Sequence, residues 1–231
     1  MAKAPQAGRS KTRLCPPLSP DEAAALSAAF LRDTTVNLAE AARTAPIAPY
    51  AAYAPRGTED LLRARIAAGT GLVLADGSAP APDGVEGFGR CLLHALDGLL
   101  ALGHPAACLL SSDCPTLPTA FLVEAARVLL QPGDRAVLGA CQDGGYYLLG
   151  LKHRHAALFS DIAWSTDSVA EATWARARSI GLPVVELPPW YDVDDAASLA
   201  RLRAERDGYA APATRAVLAR LGGVAEAALT A

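Results

Sequence analysis

The sequence predicts an α/β fold in which a mostly parallel sheet is covered by helices on both faces. Segments with strand patterns alternate along the chain with segments in which apolar residues recur at helical spacing, as in βα units. The strand candidate at 106–110 is apolar at every position, which is typical of a strand buried on both faces. One turn, Asp143-Gly144-Gly145, joins two neighbouring strand candidates and predicts a local β-hairpin.

Local signals place the individual helices and strands. Ser19-Pro20-Asp21-Glu22 combines an N-cap, a first-turn proline and a capping-box glutamate, and predicts a helix that ends near Arg43. Pro49 favours an edge position for the strand at 47–53. A second capping box, 168–171, predicts a helix that ends near Gly181. Further helices are expected from 58, at 88–102, 119–130 and 195–206, and further strands at 71–75, 106–110, 135–141, 146–151 and 183–187.

One domain is predicted over residues 1–207, because the chain contains no long linker and no internal repeat. Residues 208–231 form an alanine-rich tail that is expected to be helical. A chain of 231 residues is long enough to bury a sizeable core.

Composition disfavours several classes of protein. The net charge of -3, without a block of basic residues, argues against a nucleic-acid partner. No apolar stretch reaches the length of a membrane span, and the N-terminus lacks the apolar region of a signal peptide. The five cysteines form no C-x-x-C pair and predict a reduced, cytoplasmic protein.

Asp113 follows the strand at 106–110 and is a candidate metal ligand. In open α/β sheets, ligands bind beyond the carboxyl ends of the strands, so its carboxylate can hold Mg²⁺ or Mn²⁺ against a diphosphate. The alternative is an aspartate that bonds its own backbone in a turn before Pro115.

Asp192 and Asp194 follow the strand at 183–187 and are candidates for further ligands of the same cation. In an extended segment, side chains two residues apart point the same way. The alternative role, capping the helix that follows, is assigned to Asp195.

The first thirteen residues carry four basic side chains in a loop with Pro5 and Gly8. Such a loop can surround a polyphosphate through charge-assisted hydrogen bonds, or it can be a solvated basic terminus. The candidates for phosphate binding are Lys3, Arg9, Lys11 and Arg13.

Two further segments carry candidate substrate contacts. Gly144 and Gly145 supply the positive φ of a hairpin turn, and their missing Cβ atoms also allow a sugar or phosphate to approach the backbone. The hydroxyls of Ser165 and Thr166 can cap the next helix or contact an acceptor.

Five motifs occur in a fixed order over about residues 2–203. They are Ala2-Lys3-Ala4-Pro5 with 8–14, Ser112-Asp113-Cys114-Pro115, 143–150, Trp164-Ser165-Thr166, and 189–194. Together they resemble a bacterial family of GT-A-like transferases, known as radical-SAM/selenodomain-associated transferases or arsenosugar-biosynthesis glycosyltransferases. The resemblance implies a nucleotide-diphospho-sugar transferase fold, with Asp113 as the metal-binding acid and Asp143 in the sugar or acceptor site.

The leading hypothesis is an enzyme, a metal-dependent glycosyltransferase that uses a nucleotide-sugar donor and a small-molecule acceptor. Asp113 and Asp143 are its catalytic candidates. The alternatives are a nucleotidyltransferase that releases pyrophosphate and a nucleotide-binding protein without turnover.

The phosphate loop lies at the very beginning of the sequence. In a doubly wound sheet, a central strand normally precedes such a loop, and the family has one there. The first strand is therefore expected to be missing, which would leave unpaired backbone groups between two strands and lower the stability.

Overall fold

A computed structural model describes residues 1–229 of the chain and confirms the α/β class. Most predicted elements are present, with ends that differ by a few residues. The helices are α1 (Pro20–Ala41), α2 (Glu59–Arg63), α3 (Gly87–Ala101), α4 (Thr119–Leu129), α5 (Val169–Ser179), α6 (Ala196–Ala204) and α7 (Pro212–Leu229). The strands are β1 (Tyr50–Tyr53), β2 (Gly71–Leu74), β3 (Ala107–Leu110), β4 (Ala136–Cys141), β5 (Tyr146–Leu151) and β6 (Val184–Trp190).

The sheet is mixed, because the hairpin strand β5 runs against the direction that the other strands of its group share. Strands β1 and β2 pair in parallel, and the other four strands have the order β3-β5-β4-β6. The predicted hairpin is confirmed, because β5 returns antiparallel beside β4. Strand β5 lies between β3 and β4 and is antiparallel to both, whereas β4 and β6 are neighbours that pair in parallel.

Met1 and Ala2 lie between β1 and β3, where the first strand of the fold is expected. The amide of Ala2 donates to the carbonyl of Ala52 at 2.7 Å, and the amino group of Met1 donates to the carbonyl of Leu110 at 2.7 Å. A mainly apolar cavity of about 170 Å³ adjoins these two residues and is lined by residues of both β1 and β3.

Hydrophobic clusters cover both faces of the larger group of strands. Leu138 belongs to a cluster that includes residues of α3, whereas Val137 belongs to one that includes residues of α4. Successive residues of β4 enter different clusters because side chains alternate between the two faces of a sheet. The prediction of helices on both faces is confirmed.

Helix starts confirm one predicted capping box and correct the other. Ser19 and Glu22 exchange both capping bonds at the start of α1. At α5, Ser168 makes no side-chain capping bond, because its hydroxyl pairs instead with that of Thr166 at 2.8 Å.

Helix α7, in the alanine-rich tail, packs against α1. The buried carboxylate of Asp33 accepts hydrogen bonds from the amides of Ala213 and Thr214, at 3.0 and 2.7 Å, and so caps the first turn of α7. The five cysteines are free thiols. Within residues 1–229, none of the helices combines the length and hydrophobicity that crossing a membrane requires.

Candidate functional site

A cavity of about 730 Å³ opens where three strands end. Ala54, Ala75 and Ser111, which line it, are the first residues after β1, β2 and β3. This is the carboxyl edge at which open α/β sheets bind ligands, and the volume is in the range of small-molecule sites.

Lys11 connects two of the predicted metal-binding acids. Its ammonium group lies 2.8 Å from a carboxylate oxygen of Asp113 and 2.7 Å from one of Asp194. The amide of Val193 also donates to the carbonyl of Asp113 at 2.9 Å, which fixes the loop after β3 beside the segment after β6. Both acids line the cavity, as the sequence predicts.

The ion pairs overcome the cost of burying these charges. Burial alone would lower the pKa of Lys11, but the carboxylates of Asp113 and Asp194 raise it above its ordinary value. Burial alone would raise the pKa of Asp194, but Lys11 and Arg13 lower it. The side chain of Lys11 is only 7% exposed, whereas those of Asp113 and Asp194 are 37% and 29% exposed, so the pairs are partly shielded from water.

The rest of the basic loop also faces the cavity. Lys3, Arg9 and Arg13 line it together with Lys11. The first three are exposed residues, and Arg13 pairs with Asp194 while its side chain stays 72% exposed. A negatively charged ligand in the cavity would therefore meet several basic side chains.

Asp192 belongs to a neighbouring group of acids rather than to the Lys11 pair. Ligand atoms of Cys141, Asp143 and Asp192 lie within 4.8 Å of one another. Among the described residues, the predicted trio of Asp113, Asp192 and Asp194 does not form one such group. Burial, Asp143 and Asp194 raise the pKa of Asp192 to about 6.

The donor set suits a divalent cation by charge. Asp113 and Asp194 are paired with Lys11 and Arg13, whereas Asp143 and Asp192 form no ion pair within the described part of the chain. Carboxylate oxygens are the donors that Mg²⁺ and Mn²⁺ prefer, whereas the Cys141 thiol suits softer metals.

Replacing Asp192 with Asn is expected to stabilise the protein at pH 8, by about 2 kcal/mol. The folded pKa of about 6 lies above the ordinary value of 3.8 for an aspartate, so the folded state binds this proton more tightly than the unfolded state. The ionised carboxylate therefore costs stability above pH 6, and this cost disappears as the pH falls from 6 toward 4. Urea unfolding of both proteins at pH 8 and pH 4 measures the difference. A gain that is equally large at both pH values would contradict the assignment.

The glycines of the hairpin turn have a packing role in this structure. Gly144 has a φ of 90°, and a Cβ atom there would lie 1.8 Å from the carbonyl oxygen of Asp167. A Cβ atom on Gly145 would lie 3.2 Å from the carboxylate of Asp143, which accepts the Gly145 amide at 2.9 Å. The space beside both glycines is thus taken by the chain itself, and substrate contact at these glycines stays a prediction.

The two candidate hydroxyls have different surroundings. Ser165 lines the cavity with a left-handed backbone, at a φ of 66°. The hydroxyl of Thr166 donates to the carbonyl of Ala163 at 2.7 Å and pairs with that of Ser168. Of the two, only Ser165 faces the cavity.

Tyr146 and Phe88 also line the cavity and were not among the predicted site residues. Tyr146 looks in sequence like an ordinary β-strand residue. Its position as the first residue of β5, directly after the Asp143 turn, is the signal that could have identified it.

The fold and the cavity define an α/β protein with a ligand-sized cavity at the carboxyl edge of its sheet. The chain belongs to the bacterial family described as "Uncharacterized protein conserved in bacteria (DUF2064)", whose sequence model matches residues 37–166. Its structure is similar to the crystal structure of a "putative nucleotide-diphospho-sugar transferase" from Desulfovibrio desulfuricans G20. That similarity has a TM-score of 0.81 and 26% sequence identity, and covers 96% of this chain and 93% of the other.

A second similar structure is that of Rv0371c from Mycobacterium tuberculosis H37Rv. Its TM-score is 0.47 at 21% identity, over 88% of this chain and 95% of the other. No curated protein sequence matches the chain.

Proposed function

We propose that the protein is a glycosyltransferase that moves a sugar from a nucleotide-diphospho-sugar to a small-molecule acceptor, with Mg²⁺ or Mn²⁺. The observation that carries the proposal is the cavity itself, in which a basic loop and paired acids meet at the carboxyl edge of the sheet. The similarity to the Desulfovibrio structure supports the same kind of enzyme. The arsenosugar pathway suggested by the sequence motifs remains part of this proposal, as does a cytoplasmic location.

The residues have distinct roles in the proposed reaction. An oxygen of the acceptor attacks C1 of the sugar, the bond from C1 to the diphosphate breaks, and its electron pair leaves with the diphosphate. Lys11, Arg13, Arg9 and Lys3 then face the negative charge that develops there. The acceptor loses its proton to a carboxylate, a role proposed for Asp143.

Metal binding is proposed for Asp113, Asp192 and Asp194, with Asp143 beside them. A bound divalent cation supplies further charge neutralisation at the leaving diphosphate. The carboxylates would position this cation beside the diphosphate. Lys11 holds Asp113 and Asp194 in place between turnovers.

Product analysis tests the proposal directly. The protein is incubated with Mn²⁺, a mixture of small hydroxyl and thiol acceptors and either a nucleotide sugar or a nucleoside triphosphate, and the released phosphates are separated by chromatography. A glycosyltransferase releases a nucleoside diphosphate. Release of pyrophosphate from nucleoside triphosphates would instead identify the alternative, a nucleotidyltransferase, and binding without either product would identify a nucleotide-binding protein.

Replacing both Arg9 and Arg13 with Ala is expected to weaken nucleoside diphosphate binding by at least about tenfold while changing nucleoside binding little. The reason is that charge-assisted hydrogen bonds to phosphate are lost and contacts to the base and ribose are not. Calorimetry with a nucleoside diphosphate and its nucleoside, at low and high salt, measures both affinities. The matched control is the double replacement of Arg203 and Arg206, which do not line the cavity. Equal losses for both ligands would contradict a phosphate-binding loop.

A further inference from the structure

Tyr146 carries a buried hydroxyl that has no hydrogen-bond partner among the described residues. The adjacent Tyr147 differs, because its hydroxyl donates to the carbonyl of Pro188 at 2.9 Å. Burying a hydroxyl without a partner costs folding free energy, and natural proteins seldom leave such groups unsatisfied. A partner supplied by a ligand would explain why this position carries a tyrosine rather than a phenylalanine.

The position of Tyr146 connects it to the proposed reaction. Tyr146 lines the cavity beside the loop that carries Asp113, because the amide of Ser111 donates to the carbonyl of Tyr147 at 2.8 Å. Burial raises the pKa of the Tyr146 hydroxyl, which therefore keeps its proton and can donate a hydrogen bond. The ring itself packs against the cluster of core residues on the α3 face of the sheet.

Two other residues that line the cavity, Phe88 and Ser165, add an aromatic ring and a polar group to it. Phe88 is 45% exposed, and its ring meets that of Trp164 edge to face, at 5.6 Å between centroids. Ser165, next to Trp164, holds the strained left-handed backbone described above, and such strain is concentrated at functional sites. A pocket of aromatic rings with a few polar groups suits a polyhydroxylated ring with one apolar face.

We propose that Tyr146, Phe88 and Ser165 form the subsite for the transferred sugar ring, and that the Tyr146 hydroxyl donates a hydrogen bond to a hydroxyl of that ring. This inference rests on the proposed function and assigns the sugar, as opposed to the nucleotide, to one part of the cavity. Tyr146 thereby acts as a specificity residue for the donor, whereas the basic loop binds the diphosphate.

The test compares Tyr146→Phe with Tyr147→Phe in binding experiments. The probes are UDP with UDP-glucose and GDP with GDP-mannose, each measured by calorimetry in the presence of Mn²⁺, together with the melting temperature of each empty protein. Tyr146→Phe is expected to lose about five- to tenfold in affinity for the nucleotide sugar, the effect of one hydrogen bond, and to keep its affinity for the nucleoside diphosphate. Its empty form should melt no lower than the wild type. Tyr147→Phe should melt lower and keep both affinities.

Three results would overturn the subsite. These are an equal loss of both ligands in Tyr146→Phe, unchanged nucleotide-sugar affinity in that variant, or a lower melting temperature, which would mean that the hydroxyl has a structural partner. A wild-type protein that binds none of the four probes would overturn the proposed function and the subsite with it. The subsite fails by itself when the wild type binds a nucleotide sugar and Tyr146→Phe binds it equally well.

Discussion

Replacing Lys11 with Met is expected to lower the free energy of unfolding by about 2–3 kcal/mol in metal-free buffer. The substitution keeps much of the apolar side chain but leaves Asp113 and Asp194 without the ammonium that both contact within 2.8 Å. Removing one member of a fully buried ion pair costs about 3–5 kcal/mol because the remaining charge is uncompensated, and the cost is smaller here because the side chain of Asp113 is 37% exposed. Arg13 still pairs with Asp194, so Asp113 is the acid left without a cation. Urea unfolding in the presence of a chelator measures the loss.

Mn²⁺ is expected to restore part of the stability that Lys11→Met loses. Two carboxylates that both lie within hydrogen-bonding distance of one nitrogen are close enough to share one hard cation. A cation that binds only the folded state raises its stability. Mn²⁺ should therefore raise the melting temperature of Lys11→Met more than that of the wild type, and adding Asp113→Asn should abolish the difference.

Lys152→Met is a matched control for this experiment. The ammonium of Lys152 donates to two neutral carbonyls, those of Gln131 and Gly133, each at 2.7 Å. Its removal should cost less and should not create a Mn²⁺ response. If Mn²⁺ stabilises Lys11→Met no more than the wild type, no divalent metal ion binds between Asp113 and Asp194 in place of the Lys11 ammonium.

Local sequence signals predicted the parts of the fold that depend on neighbouring residues. The capping bonds of Ser19 and Asp195 form as expected, and the Asp143 turn makes the expected hairpin. The mixed sheet could not be predicted in the same way, because the placement of β5 between β3 and β4 depends on pairing between distant segments. A local signal can also fail, as at Ser168, which does not cap α5 because its hydroxyl pairs with that of Thr166.

The candidate site shows the same division. The sequence indicates which acids and bases follow the strands, and the structure places most of them around one cavity. The sequence does not reveal that Lys11 lies between Asp113 and Asp194, which come from two other segments of the chain. Nor does it separate Asp192 from these acids, because an extended segment alone would direct Asp192 and Asp194 the same way, whereas tertiary packing directs Asp192 toward Cys141.

Replacing Asp113 with Asn is expected to abolish the metal-dependent part of nucleotide-sugar binding and to lower the rate of sugar transfer by at least about a hundredfold. The amide keeps the shape of the side chain but loses the charge that attracts a cation and orients it toward the diphosphate. The fold should survive, because Lys11 retains Asp194 as a partner and the backbone bond from Val193 to Asp113 does not involve the side chain. Calorimetry of a nucleotide sugar with Mn²⁺ and with a chelator separates the metal-dependent part from the rest.

Asp97→Asn provides the control for Asp113→Asn, because it makes the same change in an acid outside the cavity. Asp97 pairs with Arg154 at 2.9 Å, so this variant also breaks one ion pair. It should keep both the Mn²⁺ dependence and the rate of transfer. A folded Asp113→Asn protein with unchanged Mn²⁺ dependence would show that Asp113 binds no metal, and the carboxylates of Asp143 and Asp192 would then be the remaining candidates. Unfolding of Asp113→Asn would instead support the turn-forming role, in which this residue shapes the loop before Pro115.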